Sequence, residues 1–128
     1  WRELGVDVVL ECTGHFKTLK DCEAHLEAGA KHVVISSPSP DAPTIVFGAN
    51  DEALTKTMAV ISIGSCTTNA LAPLVKALDE AVGIEHGFMT TIHSYTADQN
   101  LVDGTHDDLS YFNVLANEDP YGHATNLQ

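Results

Sequence analysis

Apolar and polar positions alternate between two spacings along this chain, and the alternation predicts a succession of strands and helices. Residues 6–10, Val-Asp-Val-Val-Leu, form a short β-branched run of the kind expected in a strand buried on both faces. Cys12-Thr13-Gly14 then supplies small and hydroxyl residues for a turn. Thr18, with Asp21 three positions on, has the spacing of a capping box, and Leu19, Cys22, Leu26 and Ala30 trace a helical stripe toward Gly29 as a stop signal. Residues 32–35 read as a second buried strand, so the first 36 residues predict a βαβ unit with parallel pairing.

Ser36-Ser37-Pro38-Ser39-Pro40-Asp41-Ala42-Pro43 cannot prolong that strand, because its prolines lack amide donors and its serines favour turns. Residues 44–47 and 58–61 predict further strands, and Asn50 is placed to cap a brief helix through Leu54. Over residues 67–82, Leu71, Leu74, Val75, Leu78 and Val82 recur at helical spacing and predict a helix with a buried face, with Pro73 causing a kink or a 3-10 start near Asn69. Gly83 stops it. Residues 84–95 then alternate at a period of two, with Ile84, His86, Phe88, Thr90, Ile92 and Ser94 on one face, and predict a long strand.

The 128 residues suffice for one domain or parts of two, and an opening on Trp1 rather than methionine is what an internal fragment would show. An apolar content of 44% supports a packed core, and no apolar run approaches the roughly 20 residues needed to span a bilayer. Three cysteines, Cys12, Cys22 and Cys66, are too few for a disulfide framework and fit a reducing, cytoplasmic setting. Cys12, Cys22 and His25 lie near one another in sequence without any paired zinc spacing, so no metal site is expected. The formal net charge of −12 argues against nucleic acid and anionic membranes as partners. It fits a protein kept soluble in high salt as well as it fits an acidic surface of no special meaning. No Lys or Arg follows Lys76, so a phosphate site beyond that point would rely on amides, hydroxyls and histidine.

Cys66 follows a predicted strand and a Gly64-Ser65 turn and opens the predicted helix. Unsatisfied amides and the helix dipole favour a thiolate there, and the hydroxyls of Ser65, Thr67 and Thr68 can hold an oxyanion or phosphate. A small packing cysteine would occupy the same position equally well. His93 lies in the chain that returns after the helix. A helix of about 16 residues is about 24 Å long, and a return of about 8 to 10 extended residues covers a comparable distance, so His93 can come back beside Cys66 as a general base or acid. Thr13-Gly14 and Ser36 fall at the C-terminal ends of predicted parallel strands, where open α/β sheets bind ligands.

Ser65-Cys66-Thr67-Thr68-Asn69-Ala70-Leu71-Ala72-Pro73, followed by Thr90-Thr91-Ile92-His93-Ser94-Tyr95-Thr96-Ala97-Asp98-Gln99, resembles the phosphorylating glyceraldehyde-3-phosphate dehydrogenases. Glu11-Cys12-Thr13-Gly14 and Ile35-Ser36-Ser37-Pro38-Ser39 match that family's cofactor domain, and the resemblance covers about residues 1–109. It implies the second half of a doubly wound, Rossmann-like α/β cofactor domain over residues 1–64, then the start of an α+β catalytic domain over residues 65–128. It implies Cys66 as nucleophile and His93 as base, Ser65, Thr67 and Thr96 on substrate or phosphate, and Thr13, Gly14 and Ser36 on NAD or NADP. The implied partners are glyceraldehyde 3-phosphate, inorganic phosphate and, in the parent enzyme, three further subunits of a homotetramer.

The chain departs from the pattern in three places. The glycine-rich dinucleotide turn is absent, Gly104-Thr105 stands where many NAD-specific members have Leu-Pro, and after Leu109 the sequence Ser110-Tyr111-Phe112-Asn113 replaces the expected arginine pair. An isolated chain of this extent is expected to be inactive, with unpaired sheet edges. Other readings stay open at this point: an erythrose-4-phosphate dehydrogenase of the same family, a Cys-His hydrolase, and a non-catalytic module in which Cys66 packs.

Overall fold

The structure, a computed structural model, describes residues 1–94. They divide between two units, Trp1–Glu85 and the part of His86–Gln128 up to residue 94. The first is a small α/β unit. After a 3-10 turn over Arg2–Leu4, its elements are β1 (Val8–Glu11), α1 (Leu19–Glu27), β2 (His32–Ile35), a second 3-10 turn (Asp51–Ala53), β3 (Val60–Ser62) and α2 (Cys66–Val82). The strands pair in the order β1-β2-β3, all parallel. The register aligns Val9 with Val33 and Val33 with Val60, and one step along the strands it aligns Glu11 with Ile35 and Ile35 with Ser62.

Local chemistry explains the first crossover. The Thr18 hydroxyl accepts the Asp21 amide at 3.0 Å while the Asp21 carboxylate accepts the Thr18 amide, so the expected capping box is formed. At the other end Gly29 takes a φ of 110°, and a side chain there would meet the backbone of Arg2. Cys22 and Leu26 of α1 pack against Val9, Val33 and Val60 from one face of the sheet. Among the described residues the opposite face is exposed at β1, at Val8 and Leu10, and half-buried at His32, Val34 and Ile61 of β2 and β3. The expectation of strands buried on both faces is therefore corrected. β-Branched runs favour a pleated surface whether or not a second layer covers it, and α1 covers only one side.

The strand expected at residues 44–47 reduces to a single parallel bridge between Thr44 and Ser62. β3 ends at Ser62 and the chain turns away at Gly64, φ 72°, so no described strand continues the pairing, while Asn50 occupies the outer edge of the segment: Oδ1 accepts the Val46 amide at 2.7 Å and Nδ2 donates to the Thr44 carbonyl at 3.0 Å. Thus engaged, Asn50 makes no side-chain cap on the short 3-10 turn it precedes. The predicted strand at 58–61 is found shifted by one to two residues, as β3.

The helix predicted at 67–82 forms as α2 and continues through Pro73, without the 3-10 start. Its face is not buried as expected. Leu74, Val75, Leu78 and Val82 are all exposed, because the spacing specifies an apolar stripe but burial needs a facing layer, and no described element packs along it. Residues 84–94 contain no strand, and residue 95, the end of the predicted segment, lies outside the described residues. A period of two becomes a strand only when a neighbour completes the ladder. No described helix is long and apolar enough to cross a membrane.

Candidate active site

Because the sheet is wholly parallel, the chain leaves β1, β2 and β3 along one edge. The segments that follow at that edge are Cys12-Thr13-Gly14, Ser36-Ser37 and Ile63-Gly64-Ser65-Cys66. They are stitched together by backbone bonds: the Ser36 amide donates to the Glu11 carbonyl at 3.0 Å and the Ile63 amide to the Ile35 carbonyl at 3.0 Å. Two predicted cofactor segments and the predicted nucleophile thus share one end of the sheet. Thr13, Gly14, Ser36 and Cys66 are exposed there, while Ser65 and Thr67 are half-buried.

Cys66 is the first residue of α2, and its setting follows from its neighbours. Ser65 caps the helix, its hydroxyl accepting the Thr68 amide at 3.0 Å and lying 2.8 Å from the Thr68 hydroxyl. Asn69 reaches back, its Nδ2 donating to the carbonyls of Ile63 at 2.7 Å and Ser65 at 2.8 Å. Gly64 turns the chain at φ 72°, and a Cβ there would lie 3.2 Å from Thr68 and 3.3 Å from Thr44. The turn before Cys66 is therefore held from both sides. None of the three cysteines is in a disulfide, and Cys22 is fully buried. Burial and then the charges of Glu11, Asp21 and Asp41 push the Cys22 thiol up, so it stays protonated.

At the end of β1, Glu11 is a buried carboxylate, 4% exposed. Its Oε1 accepts the Thr13 amide at 2.7 Å and the Thr13 hydroxyl, and its Oε2 lies 2.9 Å from His25 Nε2. The Trp1 indole N–H donates to His25 Nδ1 at 3.2 Å, and an indole nitrogen can only donate, so Nδ1 carries the lone pair and Nε2 the proton. Burial pushes the Glu11 carboxyl up, but the Thr13 hydroxyl, the His25 ring and the Thr13 amide outweigh it and hold it below the ordinary carboxylate value. This carboxylate fixes the Thr13-Gly14 turn from beneath.

Glu11 with His25, Ser62 and Asn69 are the residues that sequence reasoning passed over. A charge ending an apolar strand was one available signal. The bonds of Ser62 and Asn69 to backbone groups have no signature in residue type. His93 lies in the second compact unit, half-buried, with Nδ1 donating to the Ser94 carbonyl. Thr96 lies outside the described residues. Among the described residues no group of His, Cys, Asp and Glu is arranged to hold a metal.

Two kinds of comparison bear on this edge. The family described as glyceraldehyde 3-phosphate dehydrogenase, C-terminal domain, matches residues 65–114, a span that begins at the helix cap and runs past Leu109. The chain is also similar to proteins named glyceraldehyde-3-phosphate dehydrogenase. That of Clostridium pasteurianum is 61% identical over 107 residues, covering 83% of this chain and 32% of that protein. That of Kitasatospora aureofaciens is 56% identical over 110 residues, 84% of this chain and 33% of the relative, and that of Pseudomonas aeruginosa is 54% identical over 110 residues, 85% and 33%. The chain spans about a third of the length of these relatives.

Proposed function

We propose, from a chain that belongs to the glyceraldehyde-3-phosphate dehydrogenase family, that it carries the nucleophile and part of the cofactor edge of an enzyme oxidising glyceraldehyde 3-phosphate to an acyl phosphate. The observation that carries the reading is the placement of Cys66 as the first residue of α2, beside the Thr13-Gly14 and Ser36 segments at one end of a parallel sheet. Residues 1–64 then act as the second half of a doubly wound cofactor domain and residues 65–128 as the start of the catalytic domain.

The residues fit a nicotinamide dinucleotide in one testable respect. A Cβ built on Gly14, at φ 75°, meets no atom within 4 Å, so the turn offers open backbone beside the Thr13 and Ser36 hydroxyls, as the C-terminal edge of such a sheet requires. NAD or NADP, when bound, supplies the hydride acceptor. The chain's own part is nucleophilic. Helix-start amides stabilise the Cys66 thiolate, whose sulfur attacks the aldehyde carbon to give a hemithioacetal with its oxygen near those amides. His93, having taken the thiol proton, delivers it to that oxygen and takes it back as the carbon loses hydride, leaving a thioester on Cys66. Inorganic phosphate, held with the substrate by Ser65, Thr67 and Thr96, attacks the thioester carbon and releases the thiolate. The parent enzyme is read as a cytoplasmic homotetramer of central carbon metabolism.

The test is a steady-state assay of the full-length protein carrying this sequence, with glyceraldehyde 3-phosphate, phosphate and either nucleotide, followed by absorbance of the reduced nicotinamide. Phosphate-dependent reduction that disappears in Cys66→Ser is expected. Turnover of esters or peptides without any nucleotide would overturn the reading, and a preference for erythrose 4-phosphate would move it to another substrate within the family.

A further inference from the structure

We infer that Ser62 is a positioning residue whose hydroxyl locks the Ser36-Ser37 loop to the turn that presents Cys66, so that a nucleotide held by the loop and the reactivity of the thiol are coupled through it. This rests on the proposed function. Ser62 ends β3 and is completely buried. Its main chain is already used in the ladder: its amide donates to the Pro43 carbonyl at 2.9 Å and its carbonyl accepts the Ile45 amide at 2.8 Å. The side chain is left for other work. Its hydroxyl has one proton, donated to the Ser37 carbonyl at 2.7 Å, and a lone pair that accepts the Gly64 amide at 2.9 Å.

Those two partners belong to different segments. Ser37 follows the cofactor-side Ser36, and Gly64 stands two residues before Cys66. A serine serving only its own strand would return its hydroxyl to a carbonyl of that strand. Here one orientation of a buried rotor satisfies both bonds, so a displacement of the loop changes the bond to Gly64 as well. Ser65 and Asn69 grip the same turn from the helix side, so movement transmitted to Gly64 passes into the first residue of α2.

The experiment uses the full-length protein. Alkylation of Cys66 by iodoacetamide is timed with and without saturating NAD, and again with NADP, in wild type, Ser62→Ala and the volume-preserving Ser62→Cys. Nucleotide is expected to change the wild-type rate by about fivefold or more, and the ratio to fall within about twofold of unity in the variants while nucleotide still binds at saturation. A variant that keeps the wild-type ratio, however much stability it loses, overturns the inference. Hydrogen exchange at the Gly64 amide of the wild type gives a reading that does not depend on any variant folding. Its protection is expected to change with nucleotide, and indifference to nucleotide overturns the inference. Wild-type protein that binds no nucleotide would remove the proposed function as well. Normal binding and turnover with an unchanged ratio in the variants removes the coupling alone.

Discussion

Replacing Glu11 by glutamine tests whether the cofactor edge is held from beneath by charge as well as by shape. The carboxylate offers acceptor oxygens to three donors, the Thr13 amide, the Thr13 hydroxyl and His25 Nε2–H. Glutamine keeps the volume but has one acceptor oxygen. If that oxygen faces Thr13, the new NH₂ meets Nε2–H, donor against donor; if it faces His25, the NH₂ meets the Thr13 amide. Switching the His25 tautomer does not help, because Nδ1–H would then oppose the Trp1 indole N–H. Every arrangement loses at least one bond; a loss at Glu11, 4% exposed, is not replaced by water, whereas a loss at the exposed Trp1 indole is, so the switched tautomer sets the lower end of the cost. An unsatisfied buried group costs about 1–3 kcal/mol, and the neutral amide recovers part of this because it is easier to bury than a carboxylate. The expected loss is about 1–2 kcal/mol at neutral pH.

The pH dependence gives a second, independent handle. The folded-state carboxyl of Glu11 lies below its ordinary value of 4.5, so as pH falls the unfolded chain takes up its proton first. The stabilisation is full above 4.5 and is lost as pH falls through the folded value. Urea unfolding of wild type and Glu11→Gln in the full-length protein, from about pH 7 downward, should therefore show a gap that is widest above 4.5 and narrows below it. A variant as stable as wild type at neutral pH, or a gap that stays constant through the acid range, would refute the reasoning.

Other perturbations reach the nucleophile's turn directly. Ser65→Ala removes the cap of α2 and should cost about 1 kcal/mol in denaturant unfolding, with slower alkylation of Cys66; an unchanged midpoint would show that the cap is dispensable. Gly64→Ala forces a side chain into φ 72° within 3.3 Å of Thr44 and Thr68 and should cost about 1–2 kcal/mol, measured in the same way. Iodoacetate at neutral pH should modify Cys66 faster than Cys12, since both are exposed and only Cys66 starts a helix, and should leave Cys22 unmodified until unfolding; peptide mapping of the labelled protein decides, and equal rates at Cys12 and Cys66 would end the activated-thiolate reading.

What the sequence displayed well was local. The Thr18–Asp21 capping box, the Gly29 stop and the α2 helix depend on contacts within a few residues, and all are formed; the parallel β1-α1-β2 unit, whose strands pair over a longer separation, follows from the single crossover helix between them. What it displayed poorly depends on distant partners. The residues at 44–47 read as a strand because their pattern is apolar, yet their partner β3 ends at Ser62 and the chain turns away at Gly64. Leu74, Val75 and Leu78 read as buried because burial is the usual fate of a stripe, and a stripe carries no information about its covering layer. The helix-start position of Cys66 was legible from the Gly64-Ser65 turn before it, whereas Ser62 and Asn69 act on backbone groups of other segments.

The same contrast bears on how the proposed anionic ligands would be held in a chain of net charge −12. Six basic residues end at Lys76, and the side chains at the site are hydroxyls and a thiol. Lys76 itself lies 3.8 Å from Glu52 in an exposed pair of little energetic consequence. A site built from backbone amides and hydroxyls acts through direction more than through net charge: each donor contributes only if it points at the anion, and a rotation of the turn removes it. Such a site needs a rigid frame more than a cationic one needs it. The bonds of Glu11, Ser62 and Asn69 provide that frame, each fixing a turn whose residues are the ones proposed to meet ligand. On this argument the residues most sensitive to conservative replacement are the buried supports Glu11 and Ser62, because a bond lost at an exposed group, Asn69 included, can be replaced by water and a buried bond cannot.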